Sequence, residues 1–538
     1  MDGSSALPRF LLPLATALVV LLGCGADTTS TADDTSRSRL VVIGIDGLSW
    51  AMADPLIERG EMPHLAALAE RGWRADMETV EPLFSPPNWT SLATGRYPNV
   101  HGINSFYADR RHVQVPTTWE RLAAAGRRVG VYDVLVTWPP KALPDGVVIP
   151  GWLRRDDAVW PADLTARMDG RPPWAYDVLI MGDLDETVAE NEAELANKPG
   201  DAVRLVETFD LDVLFVSFYA VDVTSHRFQH VANPEAFDPR IPFEPRFDGI
   251  LEDVVRRVDQ AIGTIVDGLG PNTHVILVSD HGSAPGPSAR RRWGYGVRWM
   301  LDEAGFEAST SDGTPAVDAI SSWSEAVFRI TEGPEAERDE ATDRLAATLD
   351  AVRAPDGAPV FDVEVVRDPE RVVAEVADSS KRITNMASHL PAHAFVFATL
   401  AHPDVDRFWP DGMLTVGDRS VRIGEVLHAH DFTGMHDPTA IFLATGPAIS
   451  PGLPPGTISV VDVASWVLHL AGQPIPADLE GRSPAPWLDP AHLRDNPVRV
   501  VPADAVPLLP TDSDTEARRV GDDDAEIEER LRALGYVD

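Results

Sequence analysis

The chain of 538 residues contains a single cysteine, Cys24, so no intramolecular disulfide and no cysteine-based zinc site can form. Lysine is nearly missing: Lys141, Lys198 and Lys381 are the only three among 46 basic residues. With 84 acidic residues the net charge is −38, which excludes the basic surface that duplex nucleic acid demands. A small anionic ligand would have to find its positive charge locally, in metal ions or a few arginines. Hydrophobic residues at 44% and charged residues at 24% are ordinary globular proportions, which exclude wholesale disorder.

The most apolar run, FLLPLATALVVLL at Phe10–Leu22, has only thirteen residues. At about 1.5 Å per residue it falls short of a hydrocarbon core of about 30 Å, and its length suits a signal-peptide core instead. It ends in Leu21-Leu22-Gly23-Cys24, which resembles a bacterial lipobox. The alternative is an ordinary signal peptide with a buried thiol. The expectation is a lipoprotein signal peptide over 1–23, with acylation of Cys24 and a polar tether over 24–38. That would anchor the protein in the membrane of the bacterial cell envelope, facing the periplasm or exterior.

Regular structure begins at 39. Continuous apolar runs predict buried strands at Leu40–Ile45, Arg128–Leu135, Leu214–Tyr219, His274–Ser279 and Ala440–Ala444. Helical spacing predicts helices at Met62–Arg71, Ile250–Leu269 and near Val460–Leu470. Alternating strands and helices imply an α/β fold, a mostly parallel central sheet between helices. The division is a core over 39–290 and 426–490, an insertion or cap over 291–425, and a tail over 491–538 ending in a short helix.

Four strand ends carry chemistry. Asp46 follows the first strand, and Asp222 and His226 follow LFVSFY. Asp280-His281-Gly282 follows HVILVS, and His436 precedes AIFLA. In an open parallel sheet, ligands collect outside the carboxyl ends of strands. Carboxylates and imidazoles without thiolate suit zinc, and also iron or manganese. Ser85, in Ser85-Pro86-Pro87-Asn88, is either a helix N-cap or a nucleophile placed where backbone N–H groups favour anions. Asn88 is close enough to offer an amide donor to a substrate oxygen. Trp152, Trp160 and Trp174 are candidates to stack a nucleobase, or ordinary packing residues.

This set resembles the alkaline phosphatase superfamily, and within it the type I phosphodiesterase/nucleotide pyrophosphatase branch and related phosphohydrolases and phosphomutases. MPHLAALAERG, TSLATGRYPNVHGI, TWPP and VVDVASWVLHLAG strengthen the likeness. The resemblance implies an alkaline-phosphatase-like fold and two divalent metal ions, preferably Zn²⁺. Asp222, His226 and His436 would hold one ion; Asp46, Asp280 and His281 the other, with Ser85. It implies a phosphoserine intermediate and a small phosphate-ester substrate. Serine stands where the diesterase branch commonly has threonine, so diester and monoester both stay open, as do phosphonates and phosphomutase chemistry. His428 or His430 could replace His436, whose distance from the strand suits the family better. A sulfatase would need arginine where Trp89 stands. A non-catalytic lipoprotein would be expected to have lost part of this set.

Overall fold

Leu40 and Val42 project to one side of the first strand and Val41 and Ile43 to the other, and all four are buried. That strand, β1 (Arg39–Ile45), is therefore central, covered on both faces. The computed structural model describes residues 38–510, apart from 105, 107, 177–183, 238–243, 286–291, 296–298, 301–302, 306–316, 323–324, 331–334, 368–393, 403–404, 409–410 and 431–432. Cys24, the signal-peptide region and the expected C-terminal helix lie outside the described residues.

The main sheet adds β2 (Gly72–Glu78), β3 (Val129–Val134), β4 (Val147–Pro150), β5 (Val213–Phe218), β6 (Thr273–Val278), β7 (Thr439–Thr445) and β8 (Gly456–Ser459). Their order is β8-β2-β7-β6-β1-β5-β3-β4. All neighbours are parallel except β7, which runs antiparallel to both β2 and β6. The mostly parallel sheet expected from the sequence is thus present, with one reversed strand. That reversal matters for the site. An antiparallel strand begins at the edge where its parallel neighbours end, so the residues before β7 join those after β1, β5 and β6.

Helices cover both faces. One face packs α3 (Ser85–Thr94), α4 (Thr118–Ala124) and α8 (Val463–Leu470) through Trp89, Leu92, Trp119, Leu122 and Trp466. The other packs α1 (Trp50–Glu58), α2 (Pro63–Glu70), α5 (Leu184–Phe209) and α7 (Ile250–Leu269). Along α7, Leu251, Val254, Val255, Val258, Ile262, Ile265 and Leu269 recur at helical spacing and form the buried stripe. Burying one such side chain stabilises by about 1.5–3 kcal/mol. Gly270 stops the helix at φ +83°, a conformation glycine adopts without strain.

Within 291–425 a separate four-stranded antiparallel sheet has the order Phe361–Val366, Ala394–Leu400, Glu325–Ile330, Val317–Ser322. Helix Glu335–Asp350 packs on it, and Phe328, Leu345, Leu349 and Val396 centre an apolar cluster of their own. No described helix is long and apolar enough to cross a membrane.

Candidate active site

Asp46 is the residue immediately after β1, and its backbone N–H donates to Phe218 O at 2.8 Å. Its carboxylate is buried and accepts the Trp89 indole N–H at 3.1 Å. Gly44 makes that reach possible, because a Cβ there would lie 2.2 Å from the Trp89 ring. Asp222 and His226 sit in the first and second turns of α6 (Ala220–Ala232), four residues apart and so on one face. Asp280 and His281 follow β6. The short strand Gly434–Asp437 pairs antiparallel with Gly282–Pro285, setting His436 opposite Ser283 and stacking its ring on His281 at 3.6 Å.

The ligand atoms converge in two overlapping groups. Asp222, His226 and His436 form one, and Asp46, Asp222 and His281 the other, each with its donor atoms within 4.8 Å of one another. Asp280 borders the second group, with Oδ2 at 3.3 Å from His281 Nε2. Asp222 therefore lies between the two groups. His428 and His430 lie on a different ribbon, paired with Arg292–Tyr295, and His436 is the histidine that meets Asp222 and His226.

Each histidine turns the same atom inward. Nδ1 of His226, His281 and His436 lies 3.3, 3.0 and 2.7 Å from the carbonyls of Gly434, Gly282 and Leu83. A carbonyl only accepts, so the proton is held on Nδ1 and Nε2 presents a lone pair. Nε2 of His226 and Nε2 of His436 then face each other at 3.0 Å, which repels unless a proton or cation lies between them. Asp46 Oδ1, Asp222 Oδ1 and both Asp280 carboxylate oxygens are buried without a hydrogen-bond donor. Burial first, and then the Asp280 and Asp222 carboxylates, push the Asp46 carboxyl well above its ordinary range; burial likewise raises Asp280. Such a cluster of buried acids and lone pairs fits divalent cations and is poorly stable without them.

Ser85 is buried, and its Oγ lies 3.1 Å from His281 Nε2. The N-cap of α3 is Phe84, and no side chain caps it; Ser85 is the first helical residue. The capping role considered from the sequence is therefore not the one Ser85 has. Asn88 departs from expectation. Its Nδ2 donates to the carbonyls of Val80, Pro82 and Phe84 at 3.1, 3.3 and 3.0 Å, and its Oδ1 accepts the Val80 N–H at 2.8 Å. The amide thus fastens the segment leading into Ser85, and its donors are not directed at a substrate oxygen.

The model of the family described as type I phosphodiesterase/nucleotide pyrophosphatase matches residues 40–392, more than half of the chain. The chain belongs to that family. This is the branch of the alkaline phosphatase superfamily its motifs resemble. An uncharacterized pyrophosphatase/phosphodiesterase of Schizosaccharomyces pombe is 26% identical over 272 residues, covering 48% of this chain and 47% of the yeast protein. The chain thus spans about half the length of that curated relative. Murine ectonucleotide pyrophosphatase/phosphodiesterase 5, in an inactive form with AMP, is 16% identical with a TM-score of 0.49, covering 84% of this chain and 100% of that one. Phosphonoacetate hydrolase from Sinorhizobium meliloti, with phosphonoacetate, is 19% identical with a TM-score of 0.47, covering 81% and 96%.

Sequence reasoning named Trp152 as an aromatic candidate but missed the rings it packs with and the burial of Lys198. Phe84, Phe106 and Trp152 form a row of rings with centroids 5.7 and 6.0 Å apart, starting at the residue before Ser85. Trp160 is partly exposed and donates to Leu143 O, whereas Trp174 packs on Tyr176. Lys198, read from the sequence only as part of a compositional bias, is completely buried between Glu194 and Asp133. Its spacing from Glu194 is that of an ordinary surface helix pair, so only its rarity set it apart.

Proposed function

We propose that this family member is a metal-dependent phosphoric ester hydrolase that works through a phosphoserine intermediate on Ser85. The reading rests on one juxtaposition: the Ser85 hydroxyl stands at the start of a helix, 3.1 Å from His281 Nε2, beside buried Asp46, Asp222 and Asp280 with carboxylate oxygens that no hydrogen-bond donor meets. Asp222, His226 and His436 would hold one divalent ion, and Asp46, Asp280 and His281, with Asp222 between, would hold the other. Their oxygen and nitrogen donors favour zinc. When bound, the two ions supply Lewis-acid stabilisation to the attacking, leaving and non-bridging oxygens of an in-line displacement.

The chain's own residues orient and attack. Ser85 Oγ forms the new bond to phosphorus as the ester P–O bond breaks and the alcohol departs. Water then cleaves the Ser85 phosphoester and releases phosphate or a monoester. The Nδ1-to-carbonyl bonds hold the three imidazoles in one tautomer. Asn88 fixes the loop ahead of Ser85, and the Phe84–Phe106–Trp152 row offers an apolar wall for a small phosphate-ester substrate. The lipobox-like segment supports acylation at Cys24 and attachment to the bacterial cell envelope.

Acid-quenched enzyme should carry phosphate on the peptide containing Ser85. Chelation should abolish turnover and lower the melting temperature, because the ions bind only the folded chain. Active enzyme without any transition metal, or Ser85→Ala with full activity, would sink the reading. Manganese or iron in place of zinc would change only the ion.

A further inference from the structure

Behind the corner that presents Asp222 and His226 lies a buried ion cluster that no part of the reaction above uses. Lys198 and Glu194, one turn apart on α5, and Asp133 on β3 are all completely inaccessible. The Lys198 ammonium lies 2.6 Å from Asp133 Oδ2 and 2.5 Å from Glu194 Oε1, and donates to Ser217 O at 2.8 Å. The rings of Tyr132, Trp174, Tyr176, Phe218 and Tyr219 surround it at 5.2–5.9 Å. The Glu194 carboxylate in turn accepts the backbone N–H of Tyr219 at 3.0 Å and of Ala220 at 2.8 Å. These are the N-cap and first residue of α6.

Taken together, one ammonium ties three elements at a single point. Through Ser217 O it holds the end of β5; through Glu194 it holds the start of α6; through Asp133 it holds the end of β3. Asp133 has φ +58°, a left-handed conformation costly for a residue other than glycine, so it sits where the surroundings require it. A second strut runs from Tyr176 Oη to Asn191 and on to Thr224, within α6 itself. Taking three charges out of water is expensive, and burying hydrocarbon of the same volume would stabilise the fold as well or better. The feature that the charges supply, and hydrocarbon would not, is direction: carboxylate oxygens aimed at two particular N–H groups.

We infer that Lys198, with Glu194 and Asp133, is a positioning group that sets the angle of α6, and thereby the separation of Asp222 and His226 from Asp46, His281 and His436. The inference rests on the reading of those residues as metal ligands. It makes the cluster a determinant of metal affinity in addition to stability.

The test titrates zinc into chelator-stripped wild type, Lys198→Met and Glu194→Gln, measuring affinity by competition with an indicator and the melting temperature of each metal-free protein. Wild type should take up two ions per chain. Lys198→Met should bind at least one of them about 10–100-fold more weakly, the usual consequence of losing a group that orients a ligand, with activity recovered at excess zinc. Glu194→Gln keeps one oxygen for the two N–H groups but turns an amide donor onto the Lys198 ammonium, and should weaken the same ion by about 10-fold. Unchanged zinc affinity in both variants, with only a lower melting temperature, would overturn the inference. If Lys198→Met does not fold, Glu194→Gln decides by the same criterion. Wild type that takes up no zinc fails the reading of the site itself, and the inference falls with it before any variant is compared.

Discussion

At the scale of single residues, the chemistry of the site depends on which atom each side chain is forced to present. Three backbone carbonyls dictate the imidazole tautomers, and the Trp89 indole dictates which Asp46 oxygen is left unpartnered. Asn88 shows the same logic applied to the backbone. Asn88→Ala would strand the buried Val80 N–H and three carbonyls, a loss of about 1–3 kcal/mol of stability for an unsatisfied buried group. Its effect on kcat should stay below the 10²–10³-fold that removing a direct transition-state donor costs, to order of magnitude. Denaturant unfolding and steady-state kinetics on the same variant check both halves. A kcat loss in that larger range with unchanged stability would restore the direct role.

At the scale of elements, a second histidine group lies apart from the Asp46–His436 cluster, where α8 meets the helix Pro490–Asp495. His469 Nε2 is 3.2 Å from His492 Nε2. Burial, then neighbouring His492, lowers His469 to about 4; burial, then His492 and His469, lowers His274 to about 4. The ordinary value of both is 6.5, so between pH 6.5 and about 4 the unfolded chain binds more protons than the folded one. The contribution of these two groups is therefore fully present above pH 6.5 and is lost as pH falls towards 4. His469→Gln should flatten that part of the melting-temperature profile between pH 5 and 7.5 relative to wild type. An unchanged slope would exclude the group as its source.

The elements differ in how plainly they can be read from sequence. β1, β5, β6 and α7 were legible because each is apolar throughout or striped at 3.6-residue spacing, and their observed ends fall within a residue of expectation. β2, GWRADME, was not, because it carries charges on its exposed positions and finds its partners, β7 and β8, hundreds of residues later. The reversed direction of β7 is equally a matter of tertiary pairing. The residues of the acid–imidazole cluster could be named because strand ends advertise them. The Asn88 bonds and the Lys198 cluster could not, since both depend on side-chain directions set by packing across distant segments.

At the scale of the whole molecule, the strong net charge and the N-terminal segment bear on where the protein resides. Cys24→Ser should release the protein from the membrane fraction without altering specific activity, because the proposed anchor takes no part in the site. Fractionation of cells expressing each form checks this, and mature wild-type protein that retains residues 1–23 would defeat it.

The ligands of the site also lie in a particular order along the chain. Asp46, Asp222, His226, Asp280 and His281 precede the insertion, whereas His436 follows it, just before the one reversed strand of the main sheet. A chain synthesised from its N-terminus thus holds five of the six acids and imidazoles long before the sixth exists. The cluster proposed to hold the metal ions is complete only when the insertion has been made and β7 lies between β2 and β6. Under the proposed function, a chain halted before His436 and β7 lacks the last donor of the set however well its first five are placed.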